Sequence, residues 1–252
     1  MVLALLLIFS TAASSAPAAD ESDKIGPEAS TPAGQYEALV NEHQKAQQEF
    51  SSAYTAAKTD AEREKLSGKY PQAQSYSRRF LELARKHPKD PVAFDALAWV
   101  ATNDRYGEQI NETLEILLRD HIESEKLGRV AQALVYSSAR EPAKTLESIV
   151  DKNPHREVKG LATFTLGLIK KSQGKEPEAE KVFEQVVEKF GDVRDGFRGT
   201  LAEAAGGQLY EIRNLAIGKV APEIEGEDVE GKSFKLSDYR GKVVVIDFWG
   251  DW

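Results

Sequence analysis

The sequence predicts a mainly α-helical protein in which an array of helical hairpins precedes the beginning of an α/β domain. Apolar residues recur three and four positions apart from Tyr36 to about Arg213, which is the spacing of one buried helix face. Short residue patterns at the hairpin turns recur along the same region. The final residues change to an alternating hairpin pattern and then to a continuous run of β-branched residues, which is typical of a buried strand.

The first 35 residues predict an export signal and a linker. Residues 1–19 contain an uncharged apolar stretch and then small residues ending at Ala19, the composition of a cleavable secretory signal. The usual basic residues before the apolar stretch are missing, so a retained N-terminal anchor is the alternative. We expect cleavage, because the stretch is shorter than the roughly 20 residues of a spanning helix. Residues 20–35 are acidic and rich in Ser, Pro and Gly, which predicts a flexible linker.

Repeated turn patterns divide the helical region, predicted over residues 36–213, into three helical hairpins. The triplet Thr-Leu-Glu begins at Thr113 and again at Thr145, and a looser version begins at Val182. A Glu-Pro pair occurs at two predicted helix starts, as Glu141-Pro142 and as Glu176-Pro177. These prolines are predicted in the first turn of the second helix of a hairpin, where their missing N–H is not needed.

The links between hairpins also recur, as Lys-His-Pro from Lys86 and Lys-Asn-Pro from Lys152. Two repeats of about 33 residues would produce this separation, which is the period of tetratricopeptide (TPR) helix pairs. The consensus residues match poorly. The region is therefore predicted to be a TPR-like array, with an irregular helical bundle as the alternative. Such arrays present a concave face to a peptide or protein partner, whereas a spacer or a dimer surface is the competing interpretation.

One apolar stripe marks the beginning of the helical region. Its members follow approximately heptad spacing and are Tyr36, Val40, His43, Phe50, Tyr54 and Ala61. We predict that they lie on one long helix and pack on the next one, over Gln72 to Lys86. An intermolecular coiled coil is the alternative.

Three histidines recur at equal spacing, at positions His87, His121 and His155. They are predicted near helix ends, where a cationic imidazole interacts favourably with the helix dipole. No metal site is expected, because no further histidine or carboxylate lies at close ligand spacing with them.

Residues 214–252 have the pattern of a β-hairpin followed by a buried strand. Gly231 lies between two short alternating segments and favours a tight turn, since glycine tolerates positive φ. Ser237 or Asp238 is predicted to cap one helical turn after the hairpin. Gly241 then opens the strand, Val243 to Phe248. A buried strand needs neighbouring strands and covering helices, and none follow, so we expect the chain to be incomplete.

Residues 218–252 resemble the beginning of a redoxin (AhpC/TSA) domain of the TlpA type, the thioredoxin-like thiol-disulfide reductases of the cell envelope. The matching features occur in a fixed order, which is Ala221-Pro222, Glu230-Gly231-Lys232, Leu236-Ser237-Asp238, Arg240-Gly241-Lys242 and the strand ending Phe248-Trp249. In that family the next residues are Cys-x-x-Cys. This sequence contains no cysteine, so we expect both thiols to lie beyond its end, and the chain as given cannot exchange disulfides.

The resemblance implies roles for two residues of the site. Thioredoxins carry a buried aspartate at the position of Asp247, and it relays a proton to the disulfide. We expect the same role for Asp247, conditional on downstream cysteines, since burial in an apolar strand makes a carboxyl group hold its proton more tightly. The alternative is a partly exposed carboxylate bonded to nearby backbone. Trp252 would precede the first cysteine and contact the substrate, with ordinary packing as its alternative.

Composition and resemblance together define the predicted function. A formal net charge of −8 and the absence of a basic stripe argue against nucleic-acid partners. The resemblance implies neither a metal nor a nucleotide cofactor. We predict a thiol-disulfide oxidoreductase exported to the periplasm or cell envelope, acting on envelope protein thiols or disulfides, with the helical domain holding the partner. The alternative is a non-catalytic TPR-like scaffold of the envelope.

Overall fold

The computed structural model describes residues 31–196 and 199–247. The predicted signal, most of the predicted linker, and Phe248 to Trp252 lie outside the described residues. The described helices are α1 Pro32–Ala56, α2 Asp60–Ser67, α3 Gln74–Lys86, α4 Pro91–Asn103, α5 Ile110–Asp120, α6 Leu127–Ala133, α7 Pro142–Lys152, α8 Arg156–Ser172, α9 Glu176–Phe190 and α10 Leu201–Tyr210. A 3-10 turn, Leu134–Tyr136, follows α6, and a π-helical turn, Glu211–Leu215, follows α10. The prediction of a mainly α-helical chain is confirmed.

Helix α1 begins earlier than the predicted domain boundary at Tyr36. The hydroxyl of Thr31 accepts a hydrogen bond from the backbone N–H of Gly34 at 3.0 Å, and Pro32 occupies the first turn. This cap satisfies a backbone donor that has no partner inside the helix. The helical region therefore includes the last residues of the predicted linker.

The apolar stripe of α1 packs on α3, as predicted. The ring of Tyr36 lies edge-on to Phe80 with centroids 5.6 Å apart, and His43 lies edge-on to Tyr76 at 4.9 Å. The prediction of one helix through Ala61 is wrong, because α1 ends at Ala56 and Thr59 caps a second helix. The Thr59 hydroxyl accepts from Glu62 N–H while the Glu62 carboxylate accepts from Thr59 N–H, a reciprocal cap that starts α2.

Most of the remaining helices pack on a helix that is adjacent in the chain. Contacts join α3 to α4, α4 to α5, α7 to α8, α8 to α9 and α9 to α10. Pro142 and Pro177 lie in the first turns of α7 and α9, as predicted. The hairpin predicted to have Pro142 at the start of its second helix is not confirmed. The short α6 packs mainly on α4 and α8, because its buried Leu127 and Val130 belong to the core that those helices share.

A buried asparagine fixes the link between α7 and α8. The Asn153 amide nitrogen donates to the carbonyl oxygens of Ile122 at 2.7 Å and Ser124 at 2.9 Å. Its side-chain oxygen accepts from the backbone N–H of His155 at 2.8 Å. The side chain is 0% exposed, so it ties the loop before α6 to the start of α8.

Two hydrophobic clusters meet at α8. The first contains buried residues from α1 and from α3 through α8, including Phe80, Leu97 and Ile169. The second lies between α8, α9 and α10 and includes Phe183. Gly167 of α8 permits the close approach of α9, since a Cβ at this position would lie 2.6 Å from Cε1 of Phe183. Helix α8 therefore has a packed core on both of its sides.

The C-terminal segment, residues 216–247, contains one small sheet. Strands β1 Glu225–Glu227 and β2 Ser233–Lys235 pair antiparallel, and a 3-10 turn follows at Leu236–Tyr239. Residues 243–247, where the predicted strand from Val243 begins, have no strand pairing, so that strand is not confirmed among the described residues.

Candidate functional site

The hairpin of the C-terminal segment is built around Asp228. Its carboxylate accepts hydrogen bonds from the backbone N–H groups of Glu230 and Lys232, both at 2.9 Å. The backbone N–H of Asp228 donates to the Lys232 carbonyl at 2.9 Å, which closes the turn. Gly231 has a φ of 78°, a conformation that suits glycine. The turn that Gly231 predicted is therefore present, and Asp228 organises it.

Side-chain pairs across the two strands set their register. Glu225 lies opposite Lys235, and the Lys235 ammonium contacts the Glu225 carboxylate at 2.5 Å. Gly226 lies opposite Phe234, and a Cβ on Gly226 would come within 3.3 Å of that ring. Opposite charges directly across a strand pair stabilise it by roughly 0.2–1 kcal/mol. The ring of Phe234 covers the one position where the facing strand has no side chain.

Two carboxylates fix the chain as it leaves the hairpin. Asp238 accepts from the backbone N–H of Lys235 at 2.9 Å, in agreement with the predicted capping role. Glu223 accepts from the backbone N–H of Ser237, also at 2.9 Å. Hydrogen bonds from Ser237 hold the pKa of Glu223 below its usual range. Sequence reasoning missed Glu223, because the two partners are far apart along the chain and share no motif.

Asp247 lies beyond the hairpin and is exposed. Gly241, with a φ of 82°, turns the chain after the 3-10 turn. The run that follows is open to solvent, with Val243 at 96% and Val245 at 89% exposed. Asp247 therefore lies in an exposed stretch and not in a buried strand in this part of the chain. Trp252, the predicted substrate contact, lies outside the described residues.

The three equally spaced histidines lie at helix ends but not at equivalent ones. His87 and His121 directly follow α3 and α5, where a positive charge is favourable. His155 instead precedes α8, at the opposite end of a helix dipole. Burial lowers the pKa of His121, although Asp120 opposes that effect. The described residues hold no cluster of three or more His, Cys, Asp or Glu side chains that could bind a metal.

The helical region has an open groove between α1, α4 and α6. Its volume is about 650 Å³, and it is lined by Tyr36, Asp95, Lys126 and Arg129 among others. The Lys126 ammonium pairs with the Asp95 carboxylate at 2.9 Å. Burial, with a contribution from Asp95, raises the pKa of the Tyr36 phenol. The groove combines both charges with aromatic surface, a composition suited to a polypeptide.

No helix in the described ranges combines the length and the apolar character needed to cross a bilayer. This finding concerns 31–196 and 199–247 alone.

Comparisons with known proteins place one part of this chain near a group of redox enzymes. The chain is 47% identical over 38 residues to the thiol-disulfide oxidoreductase ResA of Geobacillus thermodenitrificans, and this match covers 15% of the chain and 22% of that protein. The corresponding enzyme of Bacillus cereus is 40% identical over 57 residues, covering 21% and 33%. That of Bacillus subtilis is 35% identical over 65 residues, covering 24% and 36%. Part of the chain is therefore similar to thioredoxin-like thiol-disulfide oxidoreductases.

The similarity has defined limits. The chain spans between 22% and 36% of the length of these three relatives. No protein-family model matches it, and no solved structure does so.

Proposed function

We propose that the protein is a thiol-disulfide oxidoreductase of the cell envelope, in which a TPR-like helical domain precedes a TlpA-type thioredoxin-like domain. Residues 214–252 would be the first part of that domain. The observation that carries the proposal is the similarity to ResA enzymes at 35–47% identity over 38–65 residues. The ordered motifs from Ala221 to Trp249 and the hairpin centred on Asp228 support the same assignment.

The proposed chemistry is dithiol-disulfide exchange by a Cys-x-x-Cys beyond Trp252. The first thiolate attacks a sulfur of the substrate disulfide and forms a mixed disulfide, releasing one substrate thiolate. The second cysteine then attacks the mixed disulfide, which frees the reduced substrate and oxidises the enzyme pair. A helix N-terminus at the first cysteine lowers the pKa of its thiol and raises the reactive thiolate fraction.

Asp247 would relay the proton in this exchange. In the intact domain, neighbouring strands would bury the run from Val243, and Asp247 would become a carboxyl group in apolar surroundings. Such a group can exchange protons with a cysteine near neutral pH. Trp252 would lie beside the first cysteine and contact the protein substrate.

The coding sequence beyond Trp252 gives the first test. We expect Cys-x-x-Cys there, and we expect the intact protein to reduce the disulfides of insulin when it is supplied with dithiothreitol. Replacement of the first cysteine by serine should abolish this activity. A stop codon after Trp252, or another residue pair, would overturn the catalytic proposal.

The role of Asp247 is tested separately in the intact protein. Asp247→Asn should shift the pH profile of iodoacetamide alkylation of the first cysteine, with little change in melting temperature. Glu230→Gln, at an exposed position of the hairpin turn, serves as the matched control and should leave the profile unchanged. Equal profiles for all three proteins would remove Asp247 from the mechanism.

The second candidate function is a non-catalytic scaffold, and the helical stack favours it. The stack contains two packed cores and an open groove of about 650 Å³, whereas the 252 residues contain no cysteine. Under this proposal the function is the binding of a partner by the helical region. The two candidates differ in one outcome, since full-length protein without cysteines could still bind a partner but could not exchange disulfides.

A further inference from the structure

The chain leaves the helical region through the π-helical turn Glu211–Leu215, which continues directly from the end of α10. Turns of this kind are rare, occur mostly as single turns and are often found at functional sites. The next residues, 216–224, contain no helix or strand and connect the turn to the β1–β2 hairpin. We call these residues the link. The π turn is therefore the last regular element of the helical region.

Arg213 joins the π turn to α9. Its Nε lies 2.6 Å from Oε1 of Glu180, and a second guanidinium nitrogen pairs with the Glu184 carboxylate. The two glutamates are four residues apart on α9, so their carboxylates lie on the same helix face. A planar guanidinium carries several donors in a fixed arrangement, which allows one side chain to bind both carboxylates. The turn is thus tied to α9 through one shared cation.

Lys171, in the last turn of α8, supplies a second ionic contact to the π turn. Its Nζ lies 2.6 Å from Oε2 of Glu211 and 2.9 Å from the side-chain oxygen of Gln208 in α10. Between the two charged residues of the turn, Ile212 is buried in the hydrophobic cluster of α8, α9 and α10. Ion pairs therefore hold the turn on both sides of one buried side chain.

The link begins beside the start of α9. Residues 216, 217 and 219 line an open groove of about 760 Å³ together with Pro177 and Glu180 of α9. The Lys219 N–H donates to the Ala216 carbonyl at 3.0 Å, which forms a short turn at this point. The Ile217 side chain is fully exposed, so its packing does not fix the link. The position of the link beside α9 thus depends on the π turn before it.

We propose that Lys171 and Arg213, with the three glutamates that they bind, form an ionic clamp on the π turn. The clamp fixes the direction in which the chain leaves the helical region, and it opens when the ion pairs are screened or removed. Isolated exposed ion pairs contribute little to stability, whereas several charges in one network can hold a geometry. An open clamp lets the chain after Tyr210 reorient at the end of α10. This inference holds under either candidate function, because it uses none of the redox motifs.

Hydrogen exchange of the 252-residue chain, followed by mass spectrometry, tests whether the clamp holds the turn. Arg213→Gln should accelerate exchange of the amides of residues 212–215 about tenfold through a local opening, and α4 should keep its parent rate. Arg156→Gln is the matched control, since it removes an ion pair to Asp192 just beyond the far end of α9. The control should leave residues 212–215 unchanged. Equal exchange in the parent and Arg213→Gln would overturn the inference.

A distance measurement tests the exit direction. The sequence contains no cysteine, so nitroxide labels attach only where Val187→Cys on α9 and Val220→Cys in the link introduce one. Both positions are exposed. Pulsed electron paramagnetic resonance should give a narrow distance distribution for the labelled parent chain and a broad one after Arg213→Gln.

Salt separates an ionic clamp from a packing role of Arg213. Sodium chloride at about 1 M, where the screening length is about 3 Å, should broaden the distribution of the parent and leave that of Arg213→Gln unchanged. A parent distribution that does not respond to salt would overturn the ionic origin of the clamp. A distribution that is broad in the untreated parent, or narrow in every sample, would overturn the proposal that the clamp fixes the exit direction.

Discussion

The helical region, residues 31–215, and the C-terminal segment bury their apolar residues to very different extents. In the helical region Phe80 and Phe183 are 0% exposed, whereas Val243 and Val245 in the segment are 96% and 89% exposed. The helices supply partners for one another within a few dozen residues of chain. The run from Val243 has no strand pairing among the described residues. Apolar content alone therefore does not determine burial, because the position of the complementary surface along the chain also matters.

The largest expected difference between the two regions comes from deleting one apolar side chain in each. Phe80→Ala removes a ring that stacks on Trp99 at 4.1 Å, and it should lower the free energy of unfolding by about 3–5 kcal/mol. Ile246→Ala, the control in the segment, should change it by less than about 0.5 kcal/mol. Urea unfolding followed by circular dichroism at 222 nm measures both. Similar losses would show that the segment shares the core.

Asn153 tests how much one buried polar side chain contributes to the stability of the helical stack. Asn153→Ala leaves two partly buried carbonyls and one N–H without their partner, and we expect a loss of about 2–3 kcal/mol. Asn214→Ala, whose amide donates to the Tyr210 carbonyl at 3.0 Å, is the matched control and should cost less than about 1 kcal/mol. The same urea experiment applies, and equal losses would disprove the linking role of Asn153.

Acid should affect the helical region through His43. Burial lowers its pKa in the folded chain relative to the unfolded value of about 6.5. The stabilisation is therefore complete above that value and is lost as the pH falls below it, with a slope of at most about 1.4 kcal/mol per pH unit. His43→Phe keeps a ring against Tyr76 and Trp99 and should flatten the slope between pH 6.5 and 5. An unchanged slope would assign the effect to other groups.

The smallest expected effect is that of removing the C-terminal segment. Deleting residues 220–252 should change the unfolding free energy of the helices by less than about 0.5 kcal/mol, because the hairpin's hydrogen bonds to described partners remain within the segment. Thermal melting of the two chains gives the comparison. A loss above about 1 kcal/mol would show that the segment stabilises the stack.

Local features of the sequence predicted much of this architecture. Pro142, Pro177 and Gly231 act through their own backbone geometry, so their turns and helix starts could be assigned from position alone. The stripe from Tyr36 also predicted its partner helix, because adjacent helices bury complementary faces. The run from Val243 was assigned as a strand from its composition, but pairing depends on a neighbour that composition does not report.

The features missed from the sequence are those formed by distant residues. Asn153 reaches carbonyls of Ile122 and Ser124, and Glu223 reaches Ser237, with no periodic signal to connect either pair. The burial of the Asp104 Oδ2 atom against Gly107 is likewise visible only when the end of α4 and the loop that follows it are placed together. Of the candidate redox site, the hairpin was predictable, while Asp247 is exposed and lies outside any strand pairing among the described residues.

The double-sided packing of α8 implies a hierarchy of partial openings. Helices α9 and α10 contact the rest of the stack mainly through α8, and their core is separate from the one that contains Phe80. This pair can detach while α8 remains packed on the first core, so amide hydrogens of α9 and α10 should exchange through a sub-global opening. Those of α4 and α8 should require opening of the larger core. Helix α8 would then mark the boundary between two cooperative units.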